Sequence, residues 1–169
     1  MEMMIATVIL LVALVAVAQL VPASVLLNQS NRMDSSALVF AQRELDQMLD
    51  QPLISTVFID SLGNICQLGS PPPPNTVNVL GNNVVTIGNQ THIDFSPTAT
   101  PVPGYSFIYT DFKDPSGAGP KGITYDVRWA VVVIGNGGGA TSKRFILGVR
   151  QLGGESFVPP VTLDTMVTR

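Results

Sequence analysis

Residues 3–27, MMIATVILLVALVAVAQLVPASVLL, decide the fold of this chain, because these 25 residues include no charged side chain. As an α-helix rising about 1.5 Å per residue, the run would be roughly 37 Å long, enough to cross a bilayer core of about 30 Å. Pro22 lacks a backbone donor and is expected to kink this helix locally. The side chains expected to face lipid or other apolar helices are Ile5, Val8, Ile9, Leu10, Leu11, Val12, Leu14, Val15, Leu20 and Val21.

The helical pattern continues beyond this run but becomes one-sided. A polar break at residues 28–31 is followed by apolar residues at helical spacing. This stripe contains Leu38, Ala41, Leu45, Met48 and Leu49. Pro52 is expected to end the helix, since the residue before a proline avoids helical geometry. We therefore predict one helix of about 50 residues, with an apolar transmembrane half over 1–27 and an amphipathic half over 28–51.

A cleaved secretory signal is the alternative interpretation of the N-terminal run. Residues 16–18, AVA, fit the small-x-small cleavage pattern, and cleavage there would leave a secreted β protein beginning at Gln19. Two features favour retention of the run. Its N-terminal end carries an acid, Glu2, instead of a basic residue, and the apolar residues continue for nine positions past the cut.

Residues 52–169 carry the patterns of a β-rich globular head. Short apolar runs separated by Gly, Asn and Pro predict strands at 54–59, 76–80, 84–87, 92–95, 105–110 and 161–167, with hairpin turns at 82–83 and 88–89. The strongest strands are 123–134 and 144–152, which we expect to form an antiparallel hairpin packed on the helix stripe. The predicted head core contains Leu45, Trp129, Val131, Phe145 and Leu147. The expected class is α+β, a long N-terminal α-helix packed on an antiparallel β-sheet.

The composition argues against most catalytic and nucleic-acid-binding functions. The formal net charge is −3, whereas a general nucleic-acid binder needs a basic face that neutralises phosphates. The chain has one cysteine, Cys66, and one histidine, His92, which is too few for the usual zinc sites. Cys66 is expected to be a small buried apolar residue. We predict no enzyme activity, no catalytic residue, no cofactor and no metal.

Two short motifs favour ordinary loops over ligand sites. Residues 135–140, GNGGGA, match a dinucleotide-binding fingerprint, but that site requires a following helix, and residues 143–149 have the pattern of a strand. Residues 111–117 hold two carboxylates, too few to complete a calcium shell. We therefore predict a hairpin loop at the first motif and a solvated turn at the second.

Glu2 is the least expected residue of the N-terminal segment. A carboxylate at the start of an apolar helix costs about 2.5–3.5 kcal/mol if it is carried to the middle of a membrane, and a simple anchor has no need of it. Residues 2–14, EMMIATVILLVAL, resemble the N-terminal segment of type IV pilins and type II secretion pseudopilins, in which one acid precedes an uninterrupted apolar run. Within that superfamily the chain is most similar to minor pilins, PilV-like or pseudopilin I-like.

The resemblance implies a pilin-like fold and a structural function. Glu2 would be the assembly residue that accepts the N-terminal amine of an adjacent subunit, and residues 1–27 would form the filament core. The implied partners are other pilin or pseudopilin subunits, inner-membrane lipid before assembly, and prepilin peptidase if a basic leader precedes Met1. The implied location is the inner membrane with an extracytoplasmic head, and then the pilus or pseudopilus. A single-pass anchored binding module that never polymerises is the second alternative.

Overall fold

The computed structural model describes residues 2–74, 76–111, 122–135, 139–152 and 160–168. The chain begins with one helix, α1 (Glu2–Leu49), whose helical assignment continues through Pro22. Gln51 N–H donates to the Met48 carbonyl over three residues, because the residue before Pro52 cannot continue the α-helix. The predicted long N-terminal helix is confirmed, and it ends two residues earlier than predicted.

The chain divides into two compact units, residues 1–35 and 36–169. The first unit is the N-terminal part of α1. The second contains the last part of α1 together with every strand in the described residues. The predicted division into apolar and amphipathic helix halves was placed at residue 27, whereas the compact units separate after Ser35.

A five-stranded antiparallel sheet forms the main part of the second unit. Two long strands pair over most of their length at its centre. Its members are β3 (Thr76–Gly81), β6 (Ser106–Asp111), β7 (Ile123–Gly135), β8 (Ala140–Leu152) and β9 (Val161–Thr168). The order is β3-β7-β8-β9, and β6 shares with β3 the same edge of β7. The prediction of an α+β protein with an antiparallel sheet is confirmed.

Four short strands form two hairpins outside this sheet. They are β1 (Val57–Ile59), β2 (Ile65–Gln67), β4 (Val84–Ile87) and β5 (Gln90–Ile93). The predicted turn at 88–89 is confirmed, because it joins β4 to β5. The turn predicted at 82–83 is wrong as a hairpin turn, since β3 pairs with β7 instead of β4. No strand was predicted at 65–67.

Asn82 explains why the chain does not turn back on itself at this point. Its side chain is buried and donates to the carbonyls of Tyr105 (2.6 Å) and Trp129 (3.2 Å), while its oxygen accepts the Val102 N–H at 2.9 Å. The preceding Gly81 has a φ of 102°, and a Cβ there would lie 2.6 Å from the Trp129 carbonyl oxygen. These contacts hold the end of β3 against β7, and the chain then leaves the sheet to form the β4–β5 hairpin.

The core lies between the C-terminal part of α1 and one face of the sheet. Alternate residues of β7 and β8 face the helix, as the alternating pattern predicted. The buried helix residues in this cluster are Ala37, Phe40, Ala41, Leu45 and Met48. Of the predicted stripe, Ala41, Leu45 and Met48 are buried and Leu49 packs against the cluster, whereas Leu38 is 38% exposed. Phe40 stacks on Tyr109 with a centroid separation of 4.2 Å.

The opposite face of the sheet carries a second, smaller cluster. Ile93 and Phe95, from the β4–β5 hairpin and the segment after it, pack on Ala130 and Ile146. Gly148 permits this contact because it has no side chain. A Cβ at that position would lie 2.8 Å from side-chain atoms of both Ile93 and Phe95, which is too close. Part of this face is therefore buried, although sequence alternation alone did not indicate what covers it.

Candidate membrane and assembly helix

The N-terminal part of α1 presents apolar side chains on all sides. Residues 3–20 have a mean hydropathy of 2.7, and none of them is buried within the protein. The predicted side chains that the structure describes are between 49% and 65% exposed: Ile5, Val8, Ile9, Leu10, Leu11, Val12, Leu14, Val15 and Leu20. This helix is long and apolar enough to span a membrane.

Two of the predicted helix residues have described backbones but no described side chains. Glu2 is the first residue of α1, and Val21 lies near the end of the apolar run. Pro22 lies inside the helix and is exposed. The Thr7 hydroxyl donates to the Met4 carbonyl at 2.9 Å, which satisfies this polar group within the helix itself. A membrane or an apolar assembly therefore need not supply a partner for Thr7.

The chain has no match among protein-family models, curated proteins or solved structures.

The five residues proposed for the head core lie in one buried cluster. Trp129, Val131 and Leu147 have no exposed surface, Phe145 is nearly as buried, and Leu45 contacts them from α1. The Trp129 indole N–H donates to the Gln67 carbonyl at 2.9 Å, so its one polar atom is satisfied. Cys66 is also fully buried, as predicted.

Glu44 is a buried acid in the interface between α1 and the β1–β2 hairpin. Glu44 has no solvent-exposed surface, and its Oε2 atom has no hydrogen-bond partner among the described residues. Its Oε1 atom lies 3.5 Å from the Gln47 amide nitrogen and 3.7 Å from Arg43 Nε. Burial and the nearby carboxylate of Asp60 raise the pKa of Glu44 from its ordinary value of 4.5 to about 7.

Asp60 and Cys66 share this environment with Glu44. The Asp60 carboxylate accepts the N–H groups of Leu62 (2.9 Å) and Asn64 (2.7 Å), which fixes the turn between β1 and β2. Burial, and the negative charges of Asp60 and Glu44, raise the pKa of the Cys66 thiol to about 12. Cys66 is therefore an unreactive thiol at neutral pH.

A second buried polar group lies on the opposite face of the sheet. The Asp126 carboxylate binds Arg128 through two hydrogen bonds of 3.0 and 2.8 Å and Arg150 through one of 3.1 Å. Arg128 also donates to the Ala99 carbonyl at 3.0 Å, and Arg150 donates to that of Phe95 at 2.7 Å. Both guanidinium groups lie over the Phe95 ring, at 5.1 and 4.9 Å from its centroid. This cluster holds the segment after β5 on the sheet.

Lys143 is buried and bound only to carbonyls among the described residues. Its Nζ donates to Ser55 O at 2.6 Å and to Gly69 O at 3.4 Å, and burial lowers its pKa. These two hydrogen bonds connect the segments around Ser55 and Gly69 to β8. A cavity of about 10 Å³ beside it is far smaller than the roughly 300 Å³ of small-molecule sites.

His92 and the two loop motifs were the remaining candidates for ligand sites. His92 lies on β5 with its Nδ1 3.3 Å from the Thr162 hydroxyl. The described ranges contain no group of three metal-ligating side chains. The strand β8 follows the 135–140 motif, as expected for a hairpin loop, whereas residues 136–138 and 112–117 of the two motifs lie outside the described residues.

Neither buried polar group, Glu44 or the Asp126 cluster, was among the residues predicted from the sequence. One pattern could have indicated Glu44, because it lies midway between Phe40 and Met48 at steps of four residues. No local sequence pattern indicates that carbonyls of the segment 94–99 bind Arg128, which is paired with Asp126.

Proposed function

We propose that this protein is a structural subunit, a minor pilin or pseudopilin of a type IV pilus or type II secretion pseudopilus, and that it assembles through its N-terminal helix. The observation that carries the proposal is the exposed apolar surface of residues 3–20 on a helix that continues into an α+β head. Apolar surface contributes about 25 cal/mol per Å² when it leaves water. This helix therefore requires lipid or other apolar helices around it.

Inner-membrane lipid and a filament core both meet that requirement. The helix would hold the subunit in the membrane with the head on the extracytoplasmic side, and would then pack with like helices of other subunits. Exchange of lipid for helix contacts exposes no apolar surface to water, so assembly is compatible with extraction from the bilayer. Prepilin peptidase would act on the chain if a leader precedes Met1.

Glu2 gives the proposal its specificity. A carboxylate at this end of an apolar helix is unfavourable in a membrane unless a positive group is close. The N-terminal amine of a neighbouring subunit would supply that group and would favour one stagger between helices. A buried ion pair serves specificity more than stability, so its loss should affect assembly more than anchoring.

Replacing Glu2 with Ala tests this function. We expect Glu2→Ala to reduce incorporation into sheared filaments by about tenfold or more, because the neighbour's amine loses its partner, while the amount in the membrane stays unchanged. Asp46→Asn, at an exposed acid on the head part of the same helix, is the control and should incorporate normally. Immunoblots of sheared and membrane fractions measure both quantities. Equal incorporation of Glu2→Ala and the wild-type chain would contradict the assembly role of Glu2, and absence of the wild-type chain from sheared filaments would favour an anchored module that does not polymerise.

A further inference from the structure

The main sheet ends in two edges that are open in the described part of the protein. Strand β3 pairs only with β7, and β9 pairs only with β8. In the described ranges, no backbone hydrogen bond joins β9 to any residue outside β8, and the only further one made by β3 is a turn bond from Thr76 to Pro73. Each outer edge therefore presents a row of backbone donors and acceptors that another strand could pair with.

Neither edge carries the usual protection against pairing. Proteins commonly place charged residues, prolines or bulges on exposed edge strands. Strand β3 has no charged residue and no proline, and the only charge on β9 is Asp164, which is bound by Arg144 through a hydrogen bond of 2.9 Å. Both strands also expose apolar side chains, since Val77, Val79 and Met166 are each close to 60% exposed.

The positions of these side chains match across the sheet. Val79 pairs with Val132, Val132 with Arg144, and Arg144 with Met166. Val79 and Met166 therefore lie on one cross-strand row, at opposite edges and on the same face of the sheet. Residues 77–81 and 164–168 share five such rows in all.

Strand direction makes the two edges complementary between copies of the chain. Each neighbouring pair in the order β3-β7-β8-β9 is antiparallel, so β9 runs opposite to β3. A second copy in the same orientation could thus place its β3 beside β9 and continue the antiparallel alternation without a change of register. We infer that the heads associate head-to-tail in this way, with β9 of one copy pairing with β3 of the next.

This arrangement identifies a second copy of the chain as the occupant of both edges. It covers Met166 of one copy with Val79 of the next, and it uses both open edges. A two-fold pairing of β9 with β9 would leave Val77, Val79 and the β3 edge uncovered. Head-to-tail contacts of this kind repeat from copy to copy, so they can join more than two chains. The inference goes beyond the proposed function, because it concerns the heads alone and does not require Glu2.

Disulfide cross-linking of the full chain in detergent micelles tests the pairing. In a Cys66→Ala background, the double variant Val79→Cys/Met166→Cys should form a ladder of dimers, trimers and larger species on mild oxidation. Directly opposed residues have Cβ atoms about 4.5–5.5 Å apart, close enough for a disulfide after a small adjustment. A mixture of the two single variants should give dimers, and neither single variant alone should. Dimers from Met166→Cys alone, or no ladder, would overturn the inference.

A lysine at the edge provides the matched control. Adding Val77→Lys to the double variant should reduce the ladder about tenfold, because a charge at an edge opposes pairing. Adding Ile87→Lys should not reduce the ladder, since Ile87 is at least as exposed as Val77 but lies on the β4–β5 hairpin. Equal effects of the two lysines would overturn the inference. Adding Glu2→Ala should leave the ladder intact, which separates this inference from the proposed function.

Discussion

Replacing Asp126 with Ala is expected to destabilise the head by about 3–5 kcal/mol, because it leaves the buried guanidinium of Arg128 without its carboxylate. Arg150 loses the same partner but is partly exposed and can reach water. The fluorescence of Trp129, the only tryptophan and a fully buried one, reports the unfolding transition of the head in denaturant.

The Arg144–Asp164 pair is the matched control for Asp126→Ala. It is also an arginine–carboxylate pair between residues of the main sheet, but its side chains are 41% and 35% exposed. Asp164→Ala should therefore lower the free energy of unfolding of the head by only about 0–1 kcal/mol. The double variant Asp126→Leu/Arg128→Met should recover much of the lost stability, since it removes the charge pair together. Equal losses for Asp126→Ala and Asp164→Ala would contradict the proposed importance of burial.

Replacing Glu44 with Gln is expected to remove a loss of stability that the wild-type protein shows between pH 4.5 and pH 7. The folded state raises the pKa of Glu44 to about 7, so it binds a proton that the unfolded chain releases near pH 4.5. The stabilisation of the protonated form is complete below pH 4.5 and is lost as the pH rises to 7. A difference of about 2.5 pKa units corresponds to about 3 kcal/mol.

The comparison that tests this is the difference in unfolding free energy between Glu44→Gln and wild type at pH 4.5 and pH 8. Arg43, Asp60 and Cys66 are the other ionisable groups around Glu44, and they remain in both proteins. Relative to wild type, the unfolding free energy of Glu44→Gln should increase by about 3 kcal/mol between pH 4.5 and pH 8. Asp46→Asn, on the exposed side of the same helix, should show no such gain. Parallel profiles for Glu44→Gln and wild type would show that Glu44 titrates normally.

The long elements of this fold could be predicted from the sequence because their signals are local. Uninterrupted apolar residues predicted the N-terminal helix, and alternation predicted the β7–β8 hairpin to within a few residues. The predicted stripe of the helix is buried at Ala41, Leu45 and Met48, but it omitted Phe40 and Glu44, which are also buried.

The strand order could not be predicted for a different reason. Pairing of β3 with β7 joins residues about fifty positions apart, and it depends on Asn82, whose side chain holds three backbone groups. An asparagine pair between two strands usually favours a hairpin. The hydrogen bonds of Asn82 to Tyr105 and Trp129 depend on the tertiary structure, so its sequence neighbours do not indicate them.

The central claim, that the apolar N-terminal run remains part of the working protein, is tested most directly by mass spectrometry of the N-terminus of the native protein. A filament subunit of the proposed kind retains residues 3–27, so we expect a native N-terminus that lies at or before Glu2. A native protein that begins at Gln19 would contradict the account, because it would lack most of the exposed apolar helix surface and the Glu2 carboxylate proposed for assembly.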